Sequence, residues 1–150
     1  MTVTAKEYLS QGRWLNQKIL NRNDEIRQLR ELAETIKATS YEQSAVQTSG
    51  KPDAVFASIV EKIADSESEL SDEVERYLKF REKIGREIRQ LPEDEEKILL
   101  EKRYISFKSW SAISNEMGYV ERHTLRLHAQ ALHSFEKIHS KFLEDVSKCH

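Results

Sequence analysis

Residues 110–132, WSAISNEMGYVERHTLRLHAQAL, decide how this chain is read, because their spacing describes two short helices joined by a tight turn. Ser109, a favoured N-cap type, precedes Trp110, Ile113 and Met117, which recur at steps of three and four, the period of one buried helix face. Gly118 is where that helix should stop, since glycine adopts the left-handed conformation of a helix end without a Cβ clash. After Tyr119 and Val120 a second run begins, with Thr124, Leu127, Ala131, Phe135, Ile138 and Phe142 again at steps of three and four. Two helices joined by a three-residue, glycine-led turn make a helix-turn-helix. In DNA complexes of that motif the second helix enters the major groove with its N-terminal residues toward the base edges. Glu121, Arg122, His123, Leu125 and Arg126 are therefore the candidate contacts, and Lys108, just ahead of the motif, is a candidate phosphate contact.

Upstream of this motif, Leu91-Pro92 ends a helix, because proline disfavours helical geometry in the residue before it and has no N–H to donate. Pro92 is read as opening the next helix, whose early carboxylates Glu93, Asp94, Glu95 and Glu96 suit the positive end of the helix dipole. Ile98, Leu99 and Tyr104 would pack that helix on the helix-turn-helix. A boundary is thus expected at about residue 91, with 91–150 as a three-helix unit.

Residues 1–90 carry a different pattern. Thr4 with Glu7 is a capping-box pair that starts a helix. From there Tyr8, Leu15, Ile19, Ile26, Leu29, Ala33 and Ile36 keep a seven-residue register, interrupted by Gly12 and Arg22, while Trp14 lies off the seam. The register fails over TSYEQSAVQTSGK, so a flexible connection is expected over about 39–52, with Pro52 in the first turn of the following helix. It resumes at Phe56, Val60, Ile63, Leu70, Val74, Tyr77, Ile84, Ile88 and Leu91, with Glu67 and Arg81 as polar interruptions. Each stripe covers about 35 residues, roughly 50 Å of helix. Neither stripe can be buried alone, and the simplest partner for each is the other, in an antiparallel hairpin. A dimer that pairs the stripes between chains is the competing arrangement. The fold class is all-α: a long coiled-coil-like antiparallel hairpin followed by a three-helix helix-turn-helix domain.

Composition agrees with long, exposed helices. Of 150 residues, 38% are hydrophobic and 33% charged, with only four glycines and two prolines. The net charge of −2 excludes a broadly basic nucleic-acid protein and leaves room for a local positive patch. The lone Cys149 has no partner for an internal disulfide. No apolar run approaches the roughly 18 residues a membrane helix needs, and MTVTAKEYL lacks the apolar core of a signal peptide, so a cytoplasmic location is expected.

Leu91-Pro92, Ile98-Leu99, Arg103-Tyr104, Ser109, Ile113, Gly118 and Ala131-Leu132 together resemble region 4 of bacterial sigma factors. With its AKEYL opening, central hairpin and GY…RLH…AL ending, the chain is similar to small phage and prophage proteins of Gram-positive bacteria related to ArpU-type late transcription regulators. That resemblance implies sequence-specific binding of double-stranded DNA and control of transcription, with RNA polymerase as a candidate partner. Against the family pattern, Val120 replaces a capping serine, Thr124 a buried valine, and Gln130 a phosphate-gripping arginine. The first two are expected to weaken the helix start and the core by about 1 kcal/mol each. Gln130 still occupies a DNA-facing position and is counted with the candidate contacts.

Other chemistries find less support. All five histidines lie at or after residue 123, yet His123, His128 and His133 are five apart, turned about 140° from one another on a helix, so they share no metal-ligand face. His128 lies beside the buried stripe and is read as a packing residue, and Trp110 as core. The carboxylates are spread along solvated faces, no Gly-rich phosphate loop is present, and Cys149 has no positioned base. The expectation is a non-enzyme with no cofactor, metal or small-molecule substrate, acting on DNA and self-associating through its arm. A helical adaptor whose arm binds a protein partner is the rival class.

Overall fold

The structure, a computed structural model, describes residues 3–43 and 51–148. Within them it is all-α, as expected, and no strand occurs. The elements are α1 (Ala5–Gln43), α2 (Lys51–Arg89), α3 (Asp94–Leu100), a π-helical turn (Glu101–Ile105), α4 (Trp110–Met117), α5 (Glu121–Ile138) and α6 (Ser140–Lys148). The capping box forms as read: the Thr4 N–H reaches Glu7 Oε2 at 3.0 Å, and the Glu7 N–H reaches Thr4 Oγ1 at 3.2 Å.

Both long helices run farther into the expected connection than the sequence pattern suggested. Thr39 stays helical, its hydroxyl donating to the Thr35 carbonyl at 2.8 Å, the back-bond that lets threonine persist inside a helix. Pro52 occupies the first turn of α2. The remaining connection, residues 44–50, and Cys149 lie outside the described residues.

The chain divides into two compact units, one of residues 16–76 and one of the residues up to Leu15 together with those from Tyr77 onward. In the first, Arg22 Nη2 meets Glu69 at 2.9 Å and Glu73 at 3.1 Å, and Arg30 pairs with Glu67. Partner numbers fall as the arginine numbers rise, so these helix segments are antiparallel. Ile26 and Ala33 are buried, and Ile19, Leu29 and Ile36 half-buried, which is the seam expected of α1. Arg22 is a seam member rather than a gap: it fills its position with ion pairs.

The α2 seam departs from the expectation in the first half of the helix, while Val74, Tyr77, Ile84, Ile88 and Leu91 are buried or half-buried as read. Phe56, Ile63 and Leu70 face inward as read, but Ile59 and Ser66 are the buried residues between them, while Val60 and Glu67 are exposed. Steps of three-then-four and four-then-three share every seventh residue and differ by one residue, about 100° of helix rotation, at the alternate position. Ile59 and Val60 are both apolar, so the period alone does not choose between them.

The second unit buries Tyr8 and Leu9 of α1, Ile84 and Ile88 of α2, Leu91, Leu99, Leu100 and Tyr104, then Ile113, Leu127, Ala131 and Phe135 in one cluster. The helix-turn-helix therefore shares its core with both ends of the residues read as arm. Its own helices are short, seven residues in α3 and eight in α4, and cannot enclose Phe135 and Leu100 alone. Gly12 makes the approach of α1 possible. A Cβ there would stand 3.2 Å from the Phe80 ring and 3.6 Å from the Tyr104 carbonyl oxygen.

Three local expectations are corrected in this unit. The helix after Leu91-Pro92 begins at Asp94 with Glu93 as N-cap, because residues 90–93 are spent on the turn. Ile98 is 44% exposed, and Leu99 with Leu100 faces the core instead, on the side where α3 packs against α5. Ile138 is also 44% exposed. The helix breaks at His139, whose ring packs on Phe135 at 4.5 Å and whose Nε2 donates to the Glu87 carbonyl at 3.1 Å, and Leu143 of α6 becomes the buried residue. The side chain of Phe142 lies outside what is described. Among the described residues no helix is long and apolar enough to cross a membrane.

Candidate nucleic-acid interface

The helix-turn-helix is assembled by the devices its sequence announces. Ser109 caps α4, its Oγ accepting from the Ala112 N–H at 3.2 Å. Gly118 ends α4 at φ 74°, ψ 28°, and the Ser114 carbonyl accepts from the Gly118 and Tyr119 N–H groups. Val120 stands at the N-cap of α5 and supplies no side-chain bond to it.

Thr124 behaves better than expected of a valine replacement. It is fully buried, but its hydroxyl accepts from Ser114 Oγ at 2.9 Å and donates to the Val120 carbonyl at 3.2 Å. Both buried hydroxyls are satisfied, so the desolvation cost is offset, and the bond ties α4 to α5 across the turn.

With Thr124, Leu127 and Ala131 facing inward, Glu121, Arg122, His123, Leu125, Arg126 and Gln130 are all exposed. Arg122, Arg126 and Gln130 follow one another at one-turn spacing, with Leu125, 44% exposed, beside them. Neither arginine is ion-paired among the described residues. His123 packs edge-on against Tyr119, whose hydroxyl donates to Glu95; that bond holds the Tyr119 hydroxyl above its usual range. Lys108 is less free than its position suggested: its Nζ is 2.6 Å from Glu116, which Lys102 also reaches at 2.6 Å. Hydrogen bonds from these two lysines hold the Glu116 carboxyl below its usual range.

Behind α4 lies a cluster that the sequence pattern revealed only in part. The Tyr104 hydroxyl and His128 Nε2 share a 2.7 Å hydrogen bond, and Trp110 stands edge-on to His128 at 4.5 Å. Burial, with Lys6 and Arg103 adding to it, pushes His128 down to about 4, and burial pushes Tyr104 up to about 12. The Arg103 guanidinium lies over the Trp110 ring at 4.4 Å and donates to the Lys108 carbonyl at 3.0 Å. Phe107, at φ 56°, turns the chain between the π-helical turn and α4 so that this carbonyl is presented to Arg103. His128 and Trp110 thus occupy packing positions as read, whereas Arg103 is a charged residue that periodicity gave no reason to select. Among the described residues no group of three His, Cys, Asp or Glu side chains is placed to hold a metal ion. Comparison with family models, curated proteins and solved structures returned no match for this chain.

Proposed function

We propose that this chain is a sequence-specific regulator of transcription that binds double-stranded DNA through the outer face of α5, in the manner of the phage and prophage regulators it resembles. The observation that carries the reading is the row Arg122, Arg126 and Gln130 with Leu125, exposed on a helix whose opposite face is locked to a capped, glycine-terminated partner. Two unpaired arginines one turn apart can each donate in a fork to a guanine edge or grip a phosphate, and Leu125 can meet a thymine methyl. A cytoplasmic location and contact with RNA polymerase belong to the same reading. One unit offers a small contact surface, so specificity is best served by two copies on half-sites about one helical turn apart, paired through the arm.

The test is selection of bound sequences from a random DNA pool with the wild-type chain and with Arg122→Ala/Arg126→Ala. The expected result is a sequence preference in the wild type that relaxes in the variant, by about 1–3 kcal/mol for each arginine that had paired with a base edge. No enriched sequence, and equal general DNA affinity in both proteins, would sink the proposal and promote the helical adaptor.

A further inference from the structure

We propose that Lys6, Arg13 and Arg103 form a second contact to the DNA phosphate backbone beside the start of α4, which makes the first turns of α1 part of the nucleic-acid surface. This inference rests on the DNA reading of α5 and adds to it a partner-facing role for residues assigned by sequence to the arm.

The placement follows from how α1 is seated. The Ala5 N–H donates to Glu136 Oε1 at 3.1 Å, Tyr8 lies 6.1 Å from the Phe135 ring, and Gly12 abuts the Tyr104 carbonyl. These contacts turn residues 5, 8, 9 and 12 inward. Lys6, Ser10 and Arg13, at steps of four and three, then form a row on another face of the helix, and both cations are exposed. The row contains no carboxylate, and the adjacent Glu7 is committed to the capping box.

Gly12 abuts the Tyr104 carbonyl, and the next residue, Arg13, is near enough for its charge to act on Arg103. Arg103 in turn is held over Trp110, the first residue of α4. In helix-turn-helix complexes the first helix of the motif crosses the phosphate backbone, so cations at its start stand where phosphates run. Nearby Lys102 and Lys108 share the one carboxylate of Glu116, which leaves that trio at +1, while none of Lys6, Arg13 and Arg103 is in an ion pair among the described residues.

Positive charge is concentrated around Arg103 and His128. Arg103 is lowered first by burial and then by Arg13, and the charges of Lys6 and Arg103 both act on His128. Like charges gathered in this way carry a repulsive cost that a bound polyanion relieves, and a row spanning two helical turns matches a strand of successive phosphates better than one small anion.

The experiment uses the full chain and two labelled duplexes of equal length, one enriched by the selection above and one scrambled. Lys6→Gln/Arg13→Gln removes both charges while keeping two methylenes of each stem and the helix propensity, and Arg103 is left intact because it packs on Trp110. The double variant should melt with the wild type and bind both duplexes more weakly by the same factor. Removing two phosphate-binding cations lowers the salt slope by about 1.8, so between about 50 and 200 mM salt the variant's affinity should fall about tenfold less than that of the wild type. The selected sequence preference should be unchanged, in contrast to Arg122→Ala/Arg126→Ala. Wild-type binding with an identical salt slope in the variant overturns this inference alone. No wild-type binding to either duplex overturns it together with the function it rests on. As a second variant against any loss of fold, Lys6→Glu/Arg13→Glu should weaken binding further, and unchanged affinity there would also count against it.

Discussion

At the scale of single residues, His128 shows how one side chain can couple packing to pH. It is 8% exposed, shares a hydrogen bond with the Tyr104 hydroxyl and sits against Trp110, and burial favours its neutral form. With its folded value near 4 and its usual value of 6.5, the unfolded chain binds more protons between these limits. Stability from this residue is therefore complete above about pH 6.5 and is lost as the pH falls toward 4. Allowing for solvent screening, the loss is roughly 1–2 kcal/mol. Denaturant melts of the wild type and His128→Gln across this range should show a steeper pH dependence in the wild type, since the carboxylates contribute to both curves. Parallel curves would refute the assignment. Sequence spacing placed His128 beside the buried stripe, but its partner Tyr104 lies 24 residues away and belongs to no shared period.

At the scale of elements, legibility depended on whether the signal was local. The α4 cap, the Gly118 stop and the Thr4–Glu7 box each concern groups within a few residues, and all three form. The phase of the α2 seam is set by what faces it, and Ile59 rather than Val60 turns inward. Gly12 looked like a gap in the α1 seam and is instead the point of closest approach. Gly12→Leu would drive a side chain into the Phe80 ring and the Tyr104 backbone, which cannot rotate away. We expect a loss of about 2–3 kcal/mol in chemical denaturation, well beyond the gain of up to about 1 kcal/mol from better helix propensity. A neutral or stabilised variant would show that α1 does not pack there.

At the scale of the whole molecule, the placing of the core has a consequence for truncation. Tyr8, Leu9, Ile84 and Ile88 are buried in the same cluster as Leu100, Ile113 and Phe135. A fragment of residues 91–150 would expose the partners of those four, each worth about 1.5–3 kcal/mol of burial, in a unit too small to spare it. It should show no cooperative thermal transition by circular dichroism, whereas the full chain should. A sharp transition in the fragment would mean that the helix-turn-helix closes its own core.

The sequence by itself determined the two long helices, the Thr4–Glu7 and Ser109 caps, the glycine-led turn and the outward face of α5, because each follows from hydrogen bonds and hydrophobic period within one stretch of chain. Only the tertiary structure decided that α1 and α2 complete the core of the helix-turn-helix unit, that α2 turns Ile59 and Ser66 inward, and that Lys108 is engaged by Glu116. It likewise decided that Arg103, over Trp110 at the start of α4, is near enough to Arg13 for that charge to act on it. These outcomes depend on which surfaces meet, and residues far apart in sequence are joined by packing and charge, neither of which leaves a periodic mark. The helix-turn-helix of residues 110–132 is thus written in its own residues, while the surface around it is composed with the first turns of the chain.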